Sequence, residues 1–194
     1  MLKKPLMKRF LGLLTISIVA TIYARVDAAV PVTEVPYTCS FETEEETANW
    51  LFMSPPARRT GTNKWVFGEA TAFMGTHSLY VSADNGLSES YRDSVVSGFS
   101  ITVYREFQLP VGEYEINFSY RANGDGDTLV ATWGTVAPTY VLNGLAWPPF
   151  VTNVSRIGTY MCNSSAWQAQ TADINVTSEG TYYLAFTFKA DGLY

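Results

Sequence analysis

The sequence predicts an all-β protein, an antiparallel β-sandwich of the jelly-roll kind, and three observations carry this prediction. Apolar and polar residues alternate from Ser100 to Trp133, which is the pattern of strands that turn one face to a core. Turn-forming residues interrupt the chain at short spacing, as they do in β-sandwiches. No segment of useful length carries the helical period.

Three consecutive strands form the centre of this pattern. Pro110 to Gly112 separates the first two strands, because proline presets one turn dihedral and glycine supplies a positive one. A loop rich in glycine and aspartate separates the second from the third. The predicted inward residues are Ile101, Val103, Phe107 and Leu109 in the first strand, Tyr114, Ile116, Phe118 and Tyr120 in the second, and Leu129, Ala131 and Trp133 in the third.

Residues 1–28 are predicted to be a secretory signal peptide. Basic residues precede an apolar run from Phe10 to Ala24, and Val26 to Ala28 offers small residues for cleavage. The run is shorter than the ~20 residues of a spanning helix, so we expect no membrane insertion after cleavage. The segment carries five basic residues and one acidic residue, so its removal changes the formal net charge from −5 to −9. Such an acidic chain argues against nucleic acid as a partner.

The remaining chain is predicted to form a linker at 29–36 and one domain at 37–194. The acidic segment 42–50 is a bend that carries Trp50 and Phe52 to the core, and residues 136–147 are aromatic and less regular. Further strands are predicted at Tyr37 to Phe41, Trp65 to Phe67, Ser78 to Ser82, Ile174 to Val176 and Thr181 to Phe188, the last with Tyr182, Leu184, Phe186 and Phe188 facing the core.

A series of short motifs follows in order along the domain. They are Phe41-Glu42, Trp50, Trp65, Gly75 to Val81, Arg105 to Phe107, Gly112 to Tyr114, Phe118 to Arg121, Gly124, Asp127, Trp167 and Gly180 to Phe186. This order resembles MAM-type jelly rolls, and more closely the choice-of-anchor J and cleaved-adhesin domains of secreted bacterial proteins. The resemblance covers residues 37–191.

The resemblance implies an extracellular adhesion or carbohydrate-associated module within a larger protein, without catalytic residues of its own. Such domains add a strand after the segment that matches residues 187–192. Because the chain stops at Tyr194, two alternatives stay open. Either the domain is C-terminally incomplete, or the sandwich lacks its last edge strand.

The residues themselves also argue against an enzyme. His77 is the only histidine, and Ser78 follows it outside any Gly-x-Ser-x-Gly context. Neither an HExxH motif nor metal-type cysteine spacing is present. Carboxylate pairs for glycoside cleavage depend on separations that a sequence does not reveal. We expect no enzymatic activity.

The resemblance implies one cofactor, a structural Ca²⁺ ion. Its ligands would come from Glu42, Gly75 and Ser78, with Asp127 as a further carboxylate, since calcium prefers carboxylate, carbonyl and hydroxyl oxygens. The alternative is that Glu42 caps local backbone and Asp127 begins a strand.

Carbohydrate binding uses aromatic rings that stack on sugars beside amide and hydroxyl groups. The predicted ligand-binding residues are Tyr140, Asn143, Trp147 and Phe150, in the irregular aromatic segment. Trp50, Trp65 and Trp167 stand where the resembling family buries its tryptophans, so we expect them in the core.

Cys39 and Cys162 are the only cysteines. In an oxidising compartment they can form one disulfide, worth roughly 4–5 kcal/mol for a loop of this length in the chain-entropy model. The alternative is two buried thiols.

These observations indicate a secreted or cell-surface, non-catalytic β-sandwich module that binds a surface glycan or a protein partner. Two alternatives belong to other classes. One is a structural spacer between the domains of a surface protein, and the other is an accessory module of a secreted hydrolase.

Overall fold

A computed structural model describes residues 29–54, 60–92, 98–123, 126–139 and 153–190. The predicted signal peptide and the predicted ligand-binding residues Tyr140, Asn143, Trp147 and Phe150 lie outside these ranges. The described elements are α1 (Glu44–Thr47), β1 (Leu51–Met53), β2 (Lys64–Gly68), β3 (Ser78–Ser82), β4 (Phe99–Leu109), β5 (Gly112–Ala122), β6 (Thr128–Gly134), β7 (Val154–Met161), β8 (Ser164–Val176) and β9 (Gly180–Ala190).

One layer of the fold is a five-stranded antiparallel sheet in the order β1-β4-β9-β6-β7. β9 lies at its centre and pairs along its length with β4 and with β6. Its inward face carries the four predicted residues: Tyr182 and Phe188 are buried, and Leu184 and Phe186 pack against the core. The placement of this strand inside a sheet is therefore confirmed.

The second layer consists of two separate strand pairs, β2–β3 and β5–β8. The β5–β8 pair covers a core cluster built on Phe107, Trp133 and Tyr182. The β2–β3 pair covers a second cluster built on Trp65, Ile101 and Phe188. The predicted all-β antiparallel sandwich is confirmed.

Several local predictions were wrong. Residues 37–41 form no strand, and the positive φ of 66° at Phe41 ends any extended conformation there. Trp50 is buried as expected, but Phe52 is 48% exposed. β1 is only three residues long at the sheet edge, and Phe52 rests against Phe67 at a ring-centroid distance of 5.4 Å. The strand β7 was missed because only Ile157 and Met161 of its residues are buried, which leaves no alternation.

The acidic segment forms the single helical turn α1, closed by a capping box between Thr43 and Glu46. Before it, Val32 of the predicted linker is buried and bridges β4 through two backbone hydrogen bonds, from its amide to Glu106 and to its carbonyl from Gln108. Within the described ranges, no helix is long and apolar enough to cross a membrane.

Of the two alternatives for Cys39 and Cys162, the structure has the free thiols and not the disulfide. Cys39 packs against the cluster under β2–β3, with its sulfur 3.6 Å from the carbonyl oxygen of Glu46. Cys162 lies at the turn between β7 and β8. The fold thus holds the two cysteines in different environments, and each thiol is partly exposed.

A buried arginine interrupts the apolar face of β4. Arg105 is 6% exposed and alternates in register with the buried residues of this strand. Its Nη1 donates to the carbonyl oxygens of Val30 (2.6 Å) and Asn49 (3.0 Å). The side chain therefore ties two irregular segments to the sheet, because a backbone carbonyl of each segment accepts a hydrogen bond from this one charged group.

Replacing this arginine tests its anchoring role. Arg105→Ala should lower the free energy of unfolding by about 1.5–3 kcal/mol, the usual worth of hydrogen bonds to a charged group. Arg156→Ala, at an exposed position on β7, is the control and should stay within about 0.5 kcal/mol of the wild type. Urea denaturation of all three proteins measures the effect, and equal losses in both variants would contradict the anchor.

Candidate functional site

A cleft of about 250 Å³ opens between the two strand pairs of the second layer. In the described residues β3 pairs only with β2, and β5 pairs only with β8, so the pairs do not merge into one sheet. Residues of β3 line one side of the cleft, and Phe118 to Asn123 line the other. The five-stranded sheet contributes Leu129, Phe186 and Phe188. The interior is therefore mostly apolar and aromatic.

A bulge in the β5–β8 pair brings two side chains to the rim of this cleft. The register shifts between Tyr120, opposite Gln168, and Ala122, opposite Ser164. Strict alternation would turn Arg121 and Trp167 away from the core, and bulges redirect side chains. Both residues line the cleft.

Arg121 spans the rim from one strand pair to the other. Its Nη2 donates to Thr71 Oγ1 at 2.7 Å and to Glu89 Oε2 at 2.5 Å. The side chains of Arg121 and Glu89 are 29% and 44% exposed. The ion pair is thus accessible to solvent and to a ligand. The hydrogen bond to Thr71 helps to fix its geometry.

Trp167 contacts this arginine directly. The Arg121 guanidinium carbon lies 5.4 Å from the Trp167 ring centroid, and the Phe73 ring lies 5.5 Å away. Trp167 is partly exposed and belongs to neither core cluster. The expectation that it is buried in the core was wrong, whereas Trp50 and Trp65 are buried as expected.

Polar groups inside the cleft complete the site. Asp127 is 3% exposed and lines the interior. Tyr80 donates its hydroxyl to the carbonyl of Gly86 at 2.7 Å, and Ser78 donates its hydroxyl to the carbonyl of Thr71 at 2.5 Å. Tyr91 packs edge-on against Phe188 with ring centroids 4.7 Å apart. The cleft therefore combines aromatic surfaces with a few placed carboxylate, guanidinium and hydroxyl groups.

Sequence reasoning missed this site. Its residues come from nine separate stretches of the chain, and no local motif joins them. One signal was present: Trp167 is a large aromatic residue at a position that the alternation of β8 turns away from the core.

A second polar cluster lies at Glu42. The Oε1 atom accepts from the backbone amides of Thr76 (2.8 Å) and His77 (2.9 Å), while Oε2 accepts from the Thr76 hydroxyl (2.7 Å). His77 Nδ1 lies 3.1 Å from Oε2, and His77 Nε2 lies 3.3 Å from a Glu69 oxygen. These hydrogen bonds, led by the His77 amide, lower the pKa of Glu42 to about 2.

Gly75 is adapted to this carboxylate. It has a positive φ of 73°, and a Cβ there would meet Oε1 of Glu42 at 2.2 Å. Glycine adopts this backbone conformation without strain, and a Cβ at this position would displace the Glu42 carboxylate.

The predicted calcium ligands divide between the two places. Glu42 and Gly75 are in contact, whereas Ser78 and Asp127 line the cleft. In the part of the chain that the structure describes, no group of three or more histidine, cysteine, aspartate or glutamate residues is placed to hold a metal ion. The Glu42 oxygens accept hydrogen bonds from backbone amides and from the Thr76 hydroxyl, which agrees with the alternative that Glu42 caps local backbone. Calcium binding stays a prediction.

Comparison with solved structures finds a likeness of architecture. No family model and no curated protein matches the chain. A similar solved structure is that of TmCBM61 in complex with β-1,4-galactotriose, with a TM-score of 0.46 and 12% identity over 74% of this chain and 79% of that chain. At this identity the likeness concerns the β architecture alone. The resemblance to MAM-type domains stays a hypothesis.

The Glu42 cluster predicts an acid-sensitive stability. Because the pKa of Glu42 falls from 4.5 to about 2 on folding, its contribution is present above the unfolded pKa and is lost as the pH falls through this window. Asp84, whose pKa is also lowered to about 2 by the hydroxyls of Ser82 and Ser88, adds to the same trend.

The measurement is the free energy of unfolding from neutral pH down to acid pH. The advantage of the wild type over Glu42→Gln should be largest at neutral pH and shrink below pH 4.5. Glu113→Gln, on the exposed face of β5, is the control. A difference in the free energy of unfolding between the wild type and Glu42→Gln that stays constant with pH would refute the stabilising role of the ionised Glu42 carboxylate.

A calcium ion bound at Glu42 would add stability by mass action, because it binds the folded state. We expect a higher melting temperature with calcium than with chelator in the wild type, and no difference in Glu42→Gln. Identical melting temperatures in all four samples would rule out the ion.

Proposed function

We propose that the protein is a secreted, non-catalytic carbohydrate-binding module whose ligand occupies the cleft between β3 and β5. The observation that carries the proposal is the rim formed by Trp167, Arg121 and Glu89, above an aromatic interior.

The chemistry of sugars matches this arrangement. A sugar ring has apolar C–H faces that stack on aromatic rings, and hydroxyls that both donate and accept hydrogen bonds. Trp167 and the 55% exposed Phe73 supply aromatic surface at the rim. Arg121 supplies donors and Glu89 supplies acceptors beside it.

The size of the cleft limits the ligand. Pockets for drug-sized molecules measure ~300–1,000 Å³, and the cleft measures about 250 Å³. It therefore suits one or two sugar units of a longer chain, with the rest of the glycan outside the cleft.

The site is held in position before a ligand arrives. Thr71 and Glu89 fix the guanidinium of Arg121, and Trp167 packs against it. Binding then orders few side chains, and such preorganisation favours affinity.

Location and context belong to the same proposal. Secretion to the cell exterior or surface is supported by the N-terminal sequence, which has the form of a signal peptide. There the module would attach other domains of a larger protein to a surface glycan. A structural spacer would have the same fold but no ligand, so binding decides between them.

Glycan-array binding tests the proposal. Trp167→Ala should weaken binding roughly thirtyfold, the effect of about 2 kcal/mol expected for a central aromatic contact. Arg121→Ala should weaken it as well, because it removes the donors at the rim.

The chain offers a matched control. Arg156 and Tyr160 form a similar stacked pair on β7, with the guanidinium carbon 4.4 Å from the ring centroid, outside the lining of the cleft. Tyr160→Ala and Arg156→Ala should bind like the wild type. No binding to any glycan, or full binding by folded Trp167→Ala, would refute the proposed function.

A further inference from the structure

We propose that the cleft selects neutral glycans over carboxylated ones, and that the Arg121–Glu89 ion pair determines this selectivity. This inference rests on the proposed function and names the ligand class of the same site.

The charges in the cleft are unequal. Among the described residues that line it, the formally charged ones are Arg121, Glu89 and Asp127. Two acids therefore face one base. The formal charge of residues 29–194, −9, adds a field that repels anionic chains before contact.

Arg121, the one cation among the described lining residues, is already engaged. Arg121 directs Nη2 to the Glu89 carboxylate and to Thr71, and its guanidinium packs against Trp167. A ligand carboxylate that binds the same guanidinium would lie beside the Glu89 carboxylate and share one positive charge with it. Like charges brought together at a binding site discriminate strongly between partners.

Hydrogen-bond chemistry points the same way. The Glu89 carboxylate only accepts hydrogen bonds, so a ligand group that contacts it must donate. A sugar hydroxyl donates to a carboxylate and accepts from a guanidinium at once. A uronate carboxylate only accepts, so it can bind Arg121 but cannot donate to Glu89.

The test compares pairs of glycans that differ only in charge. Each uronate-containing polysaccharide that shares a backbone with a bound glycan is measured beside its carboxyl-reduced product, by calorimetry with the purified protein. The wild type should bind the neutral member at least about tenfold more tightly. Raising the salt concentration should narrow that ratio, because exposed charges are screened.

The variant Glu89→Gln examines the ion pair. It removes one acid and frees Arg121, so the preference for the neutral member should fall several-fold. Glu113→Gln makes the same change of net charge on the exposed face of β5, outside the cleft lining, and should keep the wild-type ratio. Thermal unfolding confirms that both variants are folded.

The outcomes separate the two proposals. Binding of neutral glycans with equal or tighter binding of their carboxylated partners would overturn the selectivity and leave the proposed function standing. Equal changes in Glu89→Gln and Glu113→Gln would assign any selectivity to net charge and overturn the role of the ion pair. Failure to bind any glycan would overturn the proposed function, and this inference with it.

Discussion

Strand β9 is the element on which the rest of the structure depends, because it is hydrogen-bonded on both sides and belongs to both halves of the core. It pairs with β4 and β6, and Phe186 packs against both core clusters. Its large inward side chains each contribute roughly 1.5–3 kcal/mol when fully buried. The two strand pairs of the second layer do not pair with each other in the described residues. Their common packing against the sheet around β9 therefore holds them in one sandwich.

The division of the second layer explains the candidate site. Two strand pairs cover two ends of one sheet, and the gap between them becomes a cleft with an aromatic interior. The bulge near Arg121 then places the guanidinium and Trp167 at its rim. The same bulge interrupts the regular pairing of β5 with β8.

Polar clamps hold the irregular segments where strands do not. Arg105 binds the carbonyls of Val30 and Asn49, and Glu42 binds two backbone amides beside Gly75. Backbone groups outside a ladder need such partners. Loops around the sandwich are therefore fixed by a few charged side chains.

The sequence by itself determined the all-β class and the inward faces of β4, β5, β6 and β9, because alternation along a strand is a local property. Only the tertiary structure decided which strands pair, where the second layer divides, and that Trp167 lies at a rim. These depend on contacts between residues far apart in the chain, such as Arg121 with Thr71 and Glu89. The burial of Arg105 belongs to the same class, since its acceptors lie 56 and 75 residues away.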